Sequence, residues 1–98
     1  MFVHAVFFWL KDSTTPEQHG QFEQALLGLL KIDTIRHGFV GIPADTHTPE
    51  VERSYSFGLT VIFNDLFGHD RYQVDPIHQA FVDQWGQWID KVQVYDAQ

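Results

Sequence analysis

The sequence predicts an α+β domain in the order β-α-β-β-α-β, a four-stranded antiparallel sheet with both helices on one face. Three observations predict it. The segments Phe2 to Leu10 and Tyr55 to Phe63 have the alternation and the aromatic and β-branched content of strands. Two others open on a capping residue followed by proline, Thr15-Pro16 and Asp75-Pro76, as helices do. These elements occupy the 98 residues with nothing left for a second core, so residues 1–98 read as one domain.

In the first strand His4 is the only obviously polar side chain, and both faces, Val3, Ala5, Phe7, Trp9 and Phe2, Val6, Phe8, Leu10, want burial. The apolar start lacks a basic opening and a small-residue cleavage site, and a bilayer needs about 20 residues of helix, so neither export signal nor membrane span is expected. Thr15 is placed as N-cap with Gln18 at the capping-box position. The helix it starts runs to about Lys31 and buries Phe22, Ala25, Leu26, Leu29 and Leu30. Thr34 to Ile42 is a weaker strand, interrupted by His37, Gly38 and Gly41. Pro43 to Arg53 is a loop, and the strand after it turns Tyr55, Phe57, Leu59, Val61 and Phe63 to one side. Asn64-Asp65 ends that strand and caps a short helical segment through Tyr72. Asp75-Pro76 starts a longer helix with an expected apolar stripe of Ile77, Ala80, Phe81, Trp85 and Trp88, leaving His78 on its flank; Lys91 to Tyr95 closes the chain as a strand.

This is the ferredoxin-like arrangement, and it leaves one sheet face without a helix. Because the first strand is apolar on both sides, the economical cover is a second copy, sheet against sheet at about 10 Å. A homodimer is expected. Six Lys and Arg against 13 Asp and Glu give a net charge of −7, a field that repels phosphate and anionic lipid and disfavours nucleic acid and membrane as partners. Cysteine is absent, which excludes disulfides and thiolate chemistry and suits a cytoplasmic protein.

The residues that carry chemistry are histidines and a tyrosine. A neutral imidazole at His78 is suited to taking a proton beside a carbonyl, and the phenol of Tyr72 to holding the enolate oxygen that results. The competing reading has His78 bonded to backbone near its helix start and Tyr72 with its hydroxyl in water. His4 reads either as a satisfied core histidine or as a pocket residue, and Asp75 as the helix cap. A metal would have to join Asp75 and His78, one turn apart, with His69 or His4; with ligands on three segments this is weak, and no metal is expected. His19, His37 and His47 read as surface or dimer-edge residues. Phe8, Phe57, Leu59, Val61, Phe81, Trp85 and Trp88 are core, some of them lining an apolar cavity.

The strand Val3-His4-Ala5-Val6-Phe7-Phe8-Trp9-Leu10-Lys11-Asp12, the strand end Thr60-Val61-Ile62-Phe63-Asn64-Asp65, the run Tyr72-Gln73-Val74-Asp75-Pro76-Ile77-His78-Gln79-Ala80-Phe81 and the closing Lys91-Val92-Gln93-Val94-Tyr95-Asp96 resemble the stress-responsive A/B barrel (Dabb) family. The resemblance spans nearly the whole chain and implies a dimeric α+β barrel. Its most specific element is a helix opening, usually His-Pro-x-His with a downstream Phe, here Asp75-Pro76-Ile77-His78 and Phe81. Similarity to the plant olivetolic acid cyclase of that family implies His78 as general base, Tyr72 as its assisting tyrosine and His4 as the strand-one pocket histidine. Two positions depart from the cyclase pattern: Phe57 replaces a pocket histidine, and Asp75 the first histidine of the helix motif.

Two function classes follow. The first is a small-molecule enzyme without organic cofactor, of polyketide-cyclase, lyase or isomerase type, with catalytic residues His78, Tyr72 and His4 and an apolar or ketone-bearing ligand held by Phe8, Phe57, Leu59, Phe81 and Trp85. The second is a non-catalytic stress-responsive or ligand-binding barrel. A subunit of a larger assembly is a weaker third.

Overall fold

The computed structural model describes residues 1–98 and shows a four-stranded antiparallel sheet with three helices on one face. The elements are β1 (Phe2–Leu10), α1 (Pro16–Leu29), β2 (Ile35–Gly41), β3 (Phe57–Phe63), α2 (Leu66–Gln73), α3 (Pro76–Trp85) and β4 (Ile89–Ala97), with a 3-10 turn, Gly86–Trp88, between α3 and β4. The strand order is β2-β3-β1-β4, so the first strand lies inside the sheet, as a strand apolar on both faces should.

Alternation decides which side chains meet the helices. Phe2, Val6, Phe8 and Leu10 of β1 are buried beside Phe57, Leu59, Val61 and Phe63 of β3. From above, α1 delivers Phe22, Leu26 and Leu29, each almost fully excluded from water, and Ile32 closes the layer. Helix α1 begins with the expected capping box: Gln18 N donates to Thr15 Oγ1 at 3.1 Å and Thr15 N to Gln18 Oε1 at 2.8 Å. Phe8, Phe22 and Phe81 meet edge to face, with centroids 5.4 to 6.2 Å apart, which joins β1, α1 and α3.

The helical stripe of α3 is rotated from the expected one. Phe81 is buried and Trp85 partly so, whereas Ile77 is 42% exposed and Ala80 also faces water. The face over the cavity follows His78, Phe81 and Val82, spaced i, i+3 and i+4, with Val82 still 48% exposed at the rim, which puts His78 at its start rather than on its flank. Hydrophobicity misleads here because α3 roofs a cavity, and a roof accepts a polar side chain where a solid core does not. Trp88 stands outside the helix, in the 3-10 turn, against Trp85 at 4.7 Å. The last strand is longer than the expected Lys91 to Tyr95 and carries Asp96 within it.

No helix covers the other sheet face. There Phe7 contacts Tyr55 at 4.9 Å and Tyr95 at 6.3 Å between ring centroids, and Lys91 lies 4.5 Å over the Trp9 ring. The end of the long loop is fastened to this region: Trp9 Nε1 donates to Ser54 Oγ at 2.9 Å, and Ser56 N to the Phe8 carbonyl at 2.7 Å.

Candidate active site

Two helices converge over the β1/β4 half of the sheet. Helices α2 and α3 stand above β1, and the helix-facing side of β4 is left partly open, with Val92 45% and Val94 40% exposed although they pair with the buried Phe8 and Val6. Between them is a cavity of about 270 Å³. Its floor is His4, Val6 and Phe8 of β1, Leu59 of β3, and Val92 and Val94 of β4. Its roof is Tyr72 and Gln73 of α2 with His78, Phe81 and Val82 of α3, and Leu29, Gly86 and Ile89 complete the wall. No Lys, Arg, Asp or Glu borders it. Such a lining suits a neutral, largely apolar molecule with few polar groups.

Three polar side chains of the cavity, His4, Tyr72 and His78, form one row. The rings of His4 and Tyr72 are 5.7 Å apart and those of Tyr72 and His78 are 4.8 Å apart, both edge to face. Each is set by local structure. His78 is fixed by the start of α3, where Ile77 N donates to Asp75 Oδ1 at 2.8 Å and Gln79 N to the Asp75 carbonyl at 3.0 Å. Asp75 is therefore the expected helix cap. Tyr72 lies in the last turn of α2, whose N-cap is Asp65, accepting from Gly68 N at 3.0 Å. His4 faces the helices because its neighbours Phe2 and Val6 do.

Neither half of the competing reading describes this geometry. Tyr72 is 1% exposed, and its ring packs on Phe63 at 5.2 Å. His78 Nδ1 is buried and has no hydrogen-bond partner. Burial, which penalises the charged form, holds the His78 proton affinity below that of a free histidine, with the neighbouring His4 acting in the same direction and Asp75 partly opposing it. Burial also raises the Tyr72 phenol above its ordinary value, so it stays protonated across the neutral range.

Of the five side chains expected against a ligand, Phe8, Leu59 and Phe81 border the cavity. Phe57 and Trp85 do not. Phe57 stacks on Phe22 at 5.9 Å, beside His19 at 6.0 Å, and Trp85 pairs with Trp88. Phe57 lies at the far end of β3, opposite Phe8, and turns towards α1. Sequence reasoning missed Asp96, which accepts from His4 Nδ1 at 2.5 Å. The signal was present in the alternation of Val92, Val94 and Asp96, which puts all three on the helix-facing side of β4, with His4 opposite Asp96 in register. The grouping that spacing allowed without making it an expectation, Asp75 and His78 with His69 or His4, does not assemble, because the Asp75 carboxylate caps α3. The histidine and carboxylate side chains that converge are His4, His69 and Asp96.

Solved structures with this fold cover nearly all of the chain. A Dabb family protein of ferredoxin-like fold from Mesorhizobium loti superposes with a TM-score of 0.80 at 27% identity, over 99% of this chain and 94% of its own. A dimeric ferredoxin-like protein of unknown function from Thermobifida fusca gives 0.80 at 21% identity, over 98% and 88%. The hydroxynitrile lyase of Passiflora edulis gives 0.79 at 16% identity, over 98% and 90%. No curated protein matches the chain. The sequence model of the stress responsive A/B barrel domain matches residues 2–98, the whole of the sheet and helices just described, and the chain belongs to that family.

Proposed function

We propose that this protein is a homodimeric, cofactor-independent enzyme in which His78 removes a proton beside a carbonyl, or from the hydroxyl of a cyanohydrin-like adduct, in a small and largely apolar substrate. The observation that carries the reading is His78 itself, which borders an uncharged cavity next to Tyr72 and has no hydrogen-bond partner at its buried Nδ1. An imidazole kept neutral by burial is a base at neutral pH. As the C–H bond breaks, its proton goes to His78, its electron pair forms the C=C bond of the enolate, and the carbonyl π pair moves onto oxygen, where the Tyr72 O–H donates a hydrogen bond. The enolate then attacks a second carbonyl, as in aldol cyclisation, or takes a proton back at another carbon. In the lyase direction His78 takes the hydroxyl proton, the oxygen electron pair forms the new C=O bond, and the adjacent C–C bond breaks with its electrons leaving on cyanide, which then takes up the proton from His78. The fold shared with a hydroxynitrile lyase supports that branch. His4, hydrogen-bonded to Asp96, supplies a second proton-handling group at the same wall.

The dimer reading rests on the aromatic face bare of helices, Phe7, Trp9, Tyr55 and Tyr95, and is supported by the dimeric state of the Thermobifida fusca protein. A cytoplasmic location fits the cysteine-free sequence. No helix is long and apolar enough to cross a membrane.

The test is hydrogen–deuterium exchange in D2O at the carbon beside the carbonyl of small apolar ketones, with release of aldehyde from cyanohydrins followed in parallel. One of these reactions should be accelerated, with a loss of roughly 100-fold or more in His78→Ala and a comparable loss in Tyr72→Phe. Rates unchanged by His78→Ala would end the proposal.

A further inference from the structure

The geometry points to a divalent transition-metal site formed by His4, His69 and Asp96 beside the cavity, of a class suited to Zn2+ or Co2+. One ligand atom from each residue lies within 4.8 Å of the other two. A tetrahedral ion about 2.0 to 2.2 Å from nitrogen and oxygen ligands holds them about 3.3 Å apart. Closing that spread takes a small movement, and Asp96 is free to make it because it sits on the open edge strand of the sheet with a side chain 38% exposed. The two imidazoles are held by the protein whether or not an ion is bound. His4 is 5% exposed, and the His69 ring lies 5.1 Å from it, packed against Phe2 at 4.7 Å and Phe63 at 5.9 Å.

The surroundings are those of a ligand histidine. His69 Nδ1 donates to Asp70 Oδ1 at 3.0 Å, which fixes the ring and leaves the lone pair on Nε2, where the Gln73 amide, donating at 3.2 Å, is the group the ion displaces. Metal-bound histidines have this support as a rule. The proton between His4 and Asp96 is also displaced by the cation. Two imidazoles and one carboxylate select a borderline ion over Mg2+ or Ca2+, which take oxygen ligands. Three protein ligands leave a position for water or for the oxygen of a molecule in the cavity, which His4 borders. The site does not depend on the reaction proposed above, and its test is binding.

The experiment titrates the intact protein with Co2+, read by its visible absorption, and with Zn2+, read by calorimetry in buffers of different ionisation enthalpy. The expected result is one ion per chain, proton release on binding, and affinity lowered at least about tenfold in both His69→Ala and Asp96→Asn. Asp96→Asn keeps shape on an exposed strand and guards against a folding defect in the other variant. His78→Ala should bind as the parent does. Absence of binding, binding undiminished in His69→Ala and Asp96→Asn, or binding abolished instead by His47→Ala at the exposed Asp45–His47 pair would overturn the site.

Discussion

Replacing Asp75 by Ala tests how the chain places its base. Asp75 Oδ1 accepts from Ile77 N at 2.8 Å at the start of the ten-residue helix α3. Losing such a cap costs about 1 kcal/mol, within a range of roughly 0.5 to 2. For a domain of this size that lowers the melting temperature by roughly 4 to 8 °C. The urea midpoint falls by about 0.5 M if the m-value lies near 2 kcal/mol/M, with m itself unchanged. Asp75 also opposes the lowering of the His78 proton affinity, so its removal lets the His78 titration midpoint fall further. Urea denaturation measures the first effect and imidazole NMR the second. An Asp75→Ala protein with parental urea midpoint and parental His78 titration would refute both the capping and the electrostatic parts of the reasoning.

Phe22→Ala, at a fully excluded position among Phe8, Phe57 and Phe81, should cost about 3 to 5 kcal/mol in denaturant unfolding, and a loss below about 1 would contradict the packing. His78 in the folded chain binds its proton more weakly than the ordinary 6.5, so the unfolded chain protonates first as pH falls. Stability is therefore full above pH 6.5 and declines as pH drops from 6.5 through the lower folded midpoint. His78→Gln should remove that part of the slope in urea midpoints measured against pH, and an identical slope would count against the burial assigned to His78. Phe7→Asp, on the helix-free face, should halve the mass seen by light scattering from twice the 11.4 kDa chain to one chain while circular dichroism keeps the fold. A parent that already scatters as one chain removes the dimer from the account.

Much of this molecule can be read from local chemistry. The strand β1, the capping box at Thr15, the Asp75 cap and the alternation of Phe57, Leu59, Val61 and Phe63 are all decided by neighbours in sequence, and each appears where that chemistry puts it. What escaped depends on distant partners. The inward face of α3 is chosen by the cavity beneath it, so counting apolar residues favoured Ile77 and Ala80 over His78 and Val82. Phe57 and Trp85 are apolar and near the site in sequence, but the ring of Phe22 and the indole of Trp88 claim them. Asp96 lies 92 positions from His4, and only the pairing of the first strand with the last brings them together.

Catalysis by His78 requires a neutral imidazole that borders the apolar cavity and whose buried Nδ1 is unbonded. Selective 15N labelling of histidine and an NMR titration across the neutral and mildly acidic range measures that directly. The prediction is a His78 midpoint below 6.5, with the Nδ1 shift of an unbonded nitrogen above it. A midpoint at or above 6.5, or an Nδ1 already engaged in a hydrogen bond, would contradict it.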